Sequence, residues 1–173
     1  MKGRNAVAPG DARAFVSVGS NIEPVSHLRF ALQELERKFA PLSMSSVYRT
    51  RAIGFAGDDF LNLVVSFEAA NSVDDLLGEL DRIESSAGRD RQGDRFGSRT
   101  LDLDLLMYAD RVIDSPQLQL PRPDIMKYAF VLAPLAELAP DLVHPLAGAR
   151  MEDLWERLDK TGQSIRRLSP SPV

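Results

Sequence analysis

The chain has 173 residues, 44% hydrophobic and 27% charged, with a formal net charge of −4, two histidines and no cysteine. That length buries one core and leaves no second domain to assign; the acidic balance argues against a nucleic-acid or anionic-membrane surface, and the missing cysteines exclude disulfides and thiolate chemistry. No run approaches the roughly 20 apolar residues that cross a bilayer, and residues 1–13 lack an apolar leader segment, so a cytoplasmic protein is expected.

Residues 14–21 form a short apolar run closed by turn formers and predict a first strand. From Pro24 to Phe39, Leu28, Leu32, Leu35 and Phe39 recur at helical spacing, leaving Glu34, Glu36, Arg37 and Lys38 for solvent. Residues 42–48 alternate as a second strand, and Phe60 to Ala69, rich in β-formers, predicts a third. The intervening residues 50–59 are more than a hairpin needs and predict a lid. Asn62, polar in an apolar strand, requires hydrogen-bond partners, so it either ties down the lid or reads the edge of a heterocycle. Ser72 caps a second helix with Asp74 and Asp75 in its positive first turn. Its core stripe is Val73, Leu76, Leu77, Leu80 and Ile83; Asp81 and Glu84 fall outside it as a surface acid pair, and Gly88 closes the helix.

Residues 99–108, Arg-Thr-Leu-Asp-Leu-Asp-Leu-Leu-Met-Tyr, set two carboxylates inside an apolar run. As a strand, this sends Leu101, Leu103 and Leu105 to one face and Asp102 and Asp104 to the other. Same-face neighbours lie roughly 6.5–7 Å apart at Cα, within reach of one divalent ion. Mg²⁺ takes one or two protein carboxylates and completes its shell with water and substrate phosphates. Alone, such a pair is more often a half-exposed sheet face than a metal site. Residues 88–99, immediately before it, hold four Arg, three Gly and one Phe. Glycine lets the backbone fold over a ligand and arginine offers forked donors to phosphate oxygens, so cations beside paired acids point to metal-bound polyphosphate.

After this strand, residues 111–113 are expected to return as a hairpin. The order β-α-β-β-α-β predicts an α+β, ferredoxin-like sandwich: two helices on one face of a four-stranded antiparallel sheet, the other face open to ligands. A Pro-rich C-terminal segment extends it, with a broken helix near residues 130–138, a short helix over 151–158 and an edge strand over 164–168. One domain over residues 13–168 is expected, with loose tails at 1–12 and 169–173.

The span from Gly88 to Tyr108 resembles the signature of the 6-hydroxymethyl-7,8-dihydropterin pyrophosphokinase family. It reads Gly88-Arg89-Asp90-Arg91, then Arg95-Phe96-Gly97-Ser98-Arg99-Thr100-Leu101-Asp102-Leu103-Asp104-Leu105, with Ser98 where proline is usual. The similarity runs from residue 15 to about residue 145. It implies transfer of the β,γ-pyrophosphoryl group of ATP to the hydroxymethyl oxygen of the dihydropterin, leaving AMP, with two Mg²⁺ held by Asp102 and Asp104. The resemblance further implies that Arg89 and Arg99 act on the phosphates beside those two acids, and that Asp81, Glu84, Arg91, Leu105 and Arg122 serve the nucleotide. Thr50, the Ile53 backbone and Asn62 would read the pterin edge, Phe60 and Phe130 would stack on its faces, and Phe96 would close over the site.

Two segments depart from the family pattern. The lid Tyr48-Arg49-Thr50-Arg51-Ala52-Ile53-Gly54 lacks its usual prolines. Pro121-Arg122-Pro123-Asp124 and Tyr128 stand where a histidine and an arginine are usual, leaving Arg122 and Lys127 as substitute donors of different geometry. The expected partners are ATP and a dihydropterin, with no nucleic acid, no membrane and a monomeric state. The alternatives are a diverged paralogue acting on another pterin and a weak pterin or nucleotide binder. An RNA-binding sheet is disfavoured by the net charge and the lack of sheet-centre aromatics.

Overall fold

A computed structural model describes residues 12–53, 56–88 and 100–173. Alternating apolar residues make β1 (Ala12–Ser20), and the amphipathic run that follows makes α1 (Pro24–Phe39), opened by its proline. The segment expected as one second strand divides into β2 (Ser43–Met44) and β3 (Tyr48–Thr50). Ser45 causes the break: its backbone N–H donates to Val64 O at 2.9 Å and its hydroxyl accepts from Val64 N at 3.0 Å, replacing a ladder carbonyl with a side chain. Next come β4 (Phe60–Ala69) and α2 (Val73–Ser86), the latter capped by Ser72, whose hydroxyl accepts from Asp75 N at 3.1 Å. β5 (Asp102–Tyr108) carries the paired acids.

The main sheet runs β5-β1-β4-β3-β8, with β2 also on β4 and every pairing antiparallel. Here β8 is Ile165–Arg167, the expected edge strand, laid along β3. The sheet is thus six-stranded rather than four-stranded. Residues 111–113 do not return along β5. Instead β6 (Ile113–Asp114) pairs with β7 (Gln119–Leu120) in a separate ribbon.

One core lies between the sheet and α1 with α2, joining Val16, Val18, Leu63 and Leu103 to Leu28, Leu35, Leu76 and Leu80. The opposite face is not wholly open. Phe15, Val64, Leu106 and Met107 pack there against α3 (Ala129–Leu138) and α4 (Met151–Arg157) in a second core. A register shift between Phe15 and Val16 brings Met107 into that second core beside Leu106; strict alternation would have sent Met107 to the α1 and α2 side. α3 continues through Pro134, where a break was expected: burial of Leu132, Ala133, Leu135 and Ala136 around the proline offsets one missing hydrogen bond. Near the C-terminal end, Arg29 Nη2 donates to Pro172 O at 2.8 Å and Val173 packs against the helix-side core. Among the described residues no helix is long and apolar enough to cross a membrane.

Candidate active site

The sheet register composes the site. Gly19 of β1 stands between Asp102 of β5 and Asn62 of β4, and Tyr48 of β3 follows Asn62 in the same row. The leucines alternating with these residues fill the helix-side core, so this row faces the other way. A Cβ on Gly19 would come within 2.8 Å of Asn62 Oδ1, so only glycine lets the amide lie this low over the sheet. Asn62 Nδ2 donates to Thr50 Oγ1 at 2.9 Å, and both residues are buried. Phe60, half-buried, is the register partner of Thr50. An amide, a hydroxyl and a ring therefore share one end of the face.

The acids occupy the other end. Asp102 and Asp104 are half-exposed, while their neighbours Leu101, Leu103 and Leu105 are buried. Arg122 lies beside them because its backbone N–H donates to Leu106 O at 2.8 Å. Its Nη2 stands 3.0 Å from Asp104 Oδ1 and its Nε 2.8 Å from Asp124 Oδ2. Burial alone would lower the pKa of Arg122, but Asp104, Asp124 and Asp102 outweigh it and hold the guanidinium above its ordinary range.

Two further contacts brace the acidic strand. Glu84 is 2% exposed and its Oε1 accepts from Leu103 N at 2.7 Å. Ser20, fully buried, donates its hydroxyl to Thr100 O at 2.5 Å. At the lid's end, Asn21 Nδ2 donates to Asp58 O at 3.3 Å.

A family model for 7,8-dihydro-6-hydroxymethylpterin-pyrophosphokinase (HPPK) matches residues 15–140. The chain belongs to this family. The 2-amino-4-hydroxy-6-hydroxymethyldihydropteridine pyrophosphokinase of Synechocystis is 41% identical over 152 residues, covering 86% of this chain and 77% of that one. The protein of the same name from Haemophilus influenzae is 38% identical over 136 residues, covering 76% and 84%. Among solved structures, Plasmodium falciparum HPPK-DHPS superposes with a TM-score of 0.66 at 13% identity, over 84% of this chain and 43% of that one. This chain thus spans less than half of that molecule, and the likeness concerns the fold.

Of the HPPK site residues expected from sequence, Asp102, Asp104 and Arg122 meet at one end of the face, and Thr50, Asn62 and Phe60 at the other. Ile53 is exposed on the lid. Phe130 opens α3 with its ring stacked on Tyr128 at 5.2 Å and 22°, so the residue at the usual arginine position covers one face of it. Lys127 points to solvent. Asp81 is exposed on α2, whereas Glu84, expected beside it on the surface, turns inward to Leu103. Leu105 packs in the helix-side core, which removes its side chain from any ligand on the acid face. Arg89, Arg91, Phe96 and Arg99 lie outside the described residues.

Sequence reasoning passed over Gly19 and Asp124. No local pattern flags the first as a site residue, since its role comes from facing Asn62 across the sheet; an acid two positions beyond Arg122 could have flagged the second.

The donor set suits a hard divalent ion: two half-exposed carboxylates two residues apart on one face of β5. The attraction of Arg122 to that position shows that the site draws positive charge. Among the described residues no cluster of three or more His, Cys, Asp or Glu is placed to hold a metal ion.

Proposed function

We propose that this chain transfers pyrophosphate from ATP to the hydroxymethyl group of 6-hydroxymethyl-7,8-dihydropterin, the HPPK step of folate biosynthesis, with Asp102 and Asp104 as the metal-holding pair. The observation that carries this reading is the single sheet face with an acid pair at one end and a hydrogen-bonded amide with an aromatic ring at the other. Asn62 and Thr50 offer donors and acceptors to a heterocycle edge, and Phe60 with Phe130 offers faces to its plane. Asp102 and Asp104 would hold the Mg²⁺, two ions in this reading, which would neutralise charge on the phosphate oxygens.

The hydroxymethyl oxygen forms a bond to the β-phosphorus while the bridge from that phosphorus to the α-phosphate oxygen breaks, so AMP departs. Arg122, with Arg89, Arg91 and Arg99, supplies forked donors to the polyphosphate, and Phe96 serves the same site. Asp81 serves the adenosine side. Positioning matters most in this chemistry, and Glu84 and Ser20 hold the acidic strand in place. The strand order β5-β1-β4-β3 with two helices on one side supports the ferredoxin-like reading. Two cores sharing one sheet support a single domain over residues 13–168, and we read it as a cytoplasmic monomer.

The test is AMP release from ATP and Mg²⁺ with and without the dihydropterin. Pterin-dependent AMP should fall by about a thousandfold or more in an Asp102→Ala, Asp104→Ala double variant that retains its circular dichroism. Pterin-independent release, or activity surviving in the variant, would refute the assignment.

A further inference from the structure

Paired carboxylates that await a divalent ion repel one another, and each gains from any cation brought within a few ångströms. In this chain a guanidinium already takes that place. Arg122 Nη2 lies 3.0 Å from Asp104 Oδ1 while its Nε holds Asp124 Oδ2 at 2.8 Å. The three side chains are only 35%, 28% and 33% exposed, so water screens the contact incompletely. The backbone bond from Arg122 N to Leu106 O pins the arginine to the acidic strand itself, so the pairing needs no long-range closure.

We infer that Arg122 is a resident counter-cation of the two-aspartate site. It neutralises Asp104 in the metal-free protein, and an entering divalent ion must displace the Nη2–Oδ1 contact, after which the guanidinium keeps its grip on Asp124. Arg122 is therefore a positioning residue for the acid pair, and it weakens intrinsic metal affinity in exchange for a preformed site. Asp124 acquires a role as the second anchor that keeps the arginine within reach.

This inference rests on the reading that Asp102 and Asp104 hold the ion, so the experiment separates the two. Binding of Mn²⁺ alone, without nucleotide, is measured by the paramagnetic resonance signal of the free ion on the full chain and on Arg122→Gln, Arg122→Lys and Asp104→Asn. Arg122→Gln should bind Mn²⁺ about fivefold more tightly than the parent, and Arg122→Lys, which keeps the charge but not the fork, should stay within about twofold of it. Melting curves should mirror this, Mn²⁺ raising the midpoint of Arg122→Gln more than that of the parent. If Asp104→Asn abolishes binding while Arg122→Gln binds no more tightly than the parent, the counter-cation role is overturned and the metal reading stands. If Asp104→Asn binds as the parent does, the metal reading fails and the inference falls with it.

Discussion

A glycine sets the depth of this site. Gly19 lets Asn62 lie over β1, and a single methyl group there would sit 2.8 Å from the amide oxygen. The asparagine cannot yield freely, because its Nδ2 is committed to Thr50 at 2.9 Å inside a buried pair. Gly19→Ala is therefore expected to raise KM for the dihydropterin about tenfold, the worth of one misplaced hydrogen bond, while KM for ATP changes little. Steady-state kinetics on both substrates checks this; equal effects on both would mean that the strain spreads to the acidic end. Asn62 was legible in the sequence, since a polar residue in an apolar strand demands partners. Gly19 was not, because its role comes from facing Asn62 across β1 and β4, a register that no local pattern specifies.

At the scale of elements, β5 stands at the margin of the sheet, where among the described residues no strand pairs with its outer backbone groups. Side chain and loop supply the partners instead: Glu84 of α2 takes the N–H of Leu103, and the N–H of Arg122 takes the carbonyl of Leu106. The residue that Glu84 holds lies between the two acids, so the carboxylate fixes their spacing. Glu84→Ala should cost about 2–3 kcal/mol, because it leaves a buried N–H unsatisfied. Glu84→Gln, which keeps an acceptor, should cost about 1 kcal/mol or less by comparison. Urea denaturation of both variants decides, and equal losses would show that the carboxylate's charge matters rather than its hydrogen bond. Helical spacing placed Glu84 outside the core stripe, on the surface. That expectation failed because spacing measures distance from the stripe's centre, and the strand edge beside α2 extends the buried region past it.

At the scale of the whole molecule, the second core decides how much of the sheet a ligand can reach. α3 and α4 cover the part under Phe15 and Val64 and leave the row of Asp102, Gly19 and Asn62 outside that core. The loop joining these helices is organised by His144, whose Nδ1 accepts from Leu146 N at 3.3 Å and Ala147 N at 3.1 Å. Its Nε2 is buried with no partner among the described residues. Burial pulls this imidazole below its ordinary value, so the folded state prefers it neutral. The unfolded chain takes up the proton first, hence the stabilisation is complete above the ordinary histidine range near 6.5 and is lost as pH falls through it toward the folded value. His144→Asn keeps an acceptor for the two N–H groups and does not titrate. Between pH 7.5 and 5.5 the parent should lose more stability than this variant, by at most about 1.4 kcal/mol per pH unit, as measured by denaturant titration. Parallel losses would exclude His144 as the source.

The sequence by itself determined what depends on neighbours along the chain. Periodicity placed α1 over Pro24–Phe39 and β4 over Phe60–Ala69, alternation set Asp102 and Asp104 on one face, and a contiguous signature marked the family. Only the tertiary structure decided which groups from distant segments meet. It brought Arg122 to Asp104, Glu84 to Leu103 and Gly19 beneath Asn62, and it laid α3 and α4 on a face expected to be open. The physical reason is that a hydrogen bond or ion pair between strands depends on sheet order and register, and a one-residue shift such as the bulge at β5 reverses which face a side chain serves.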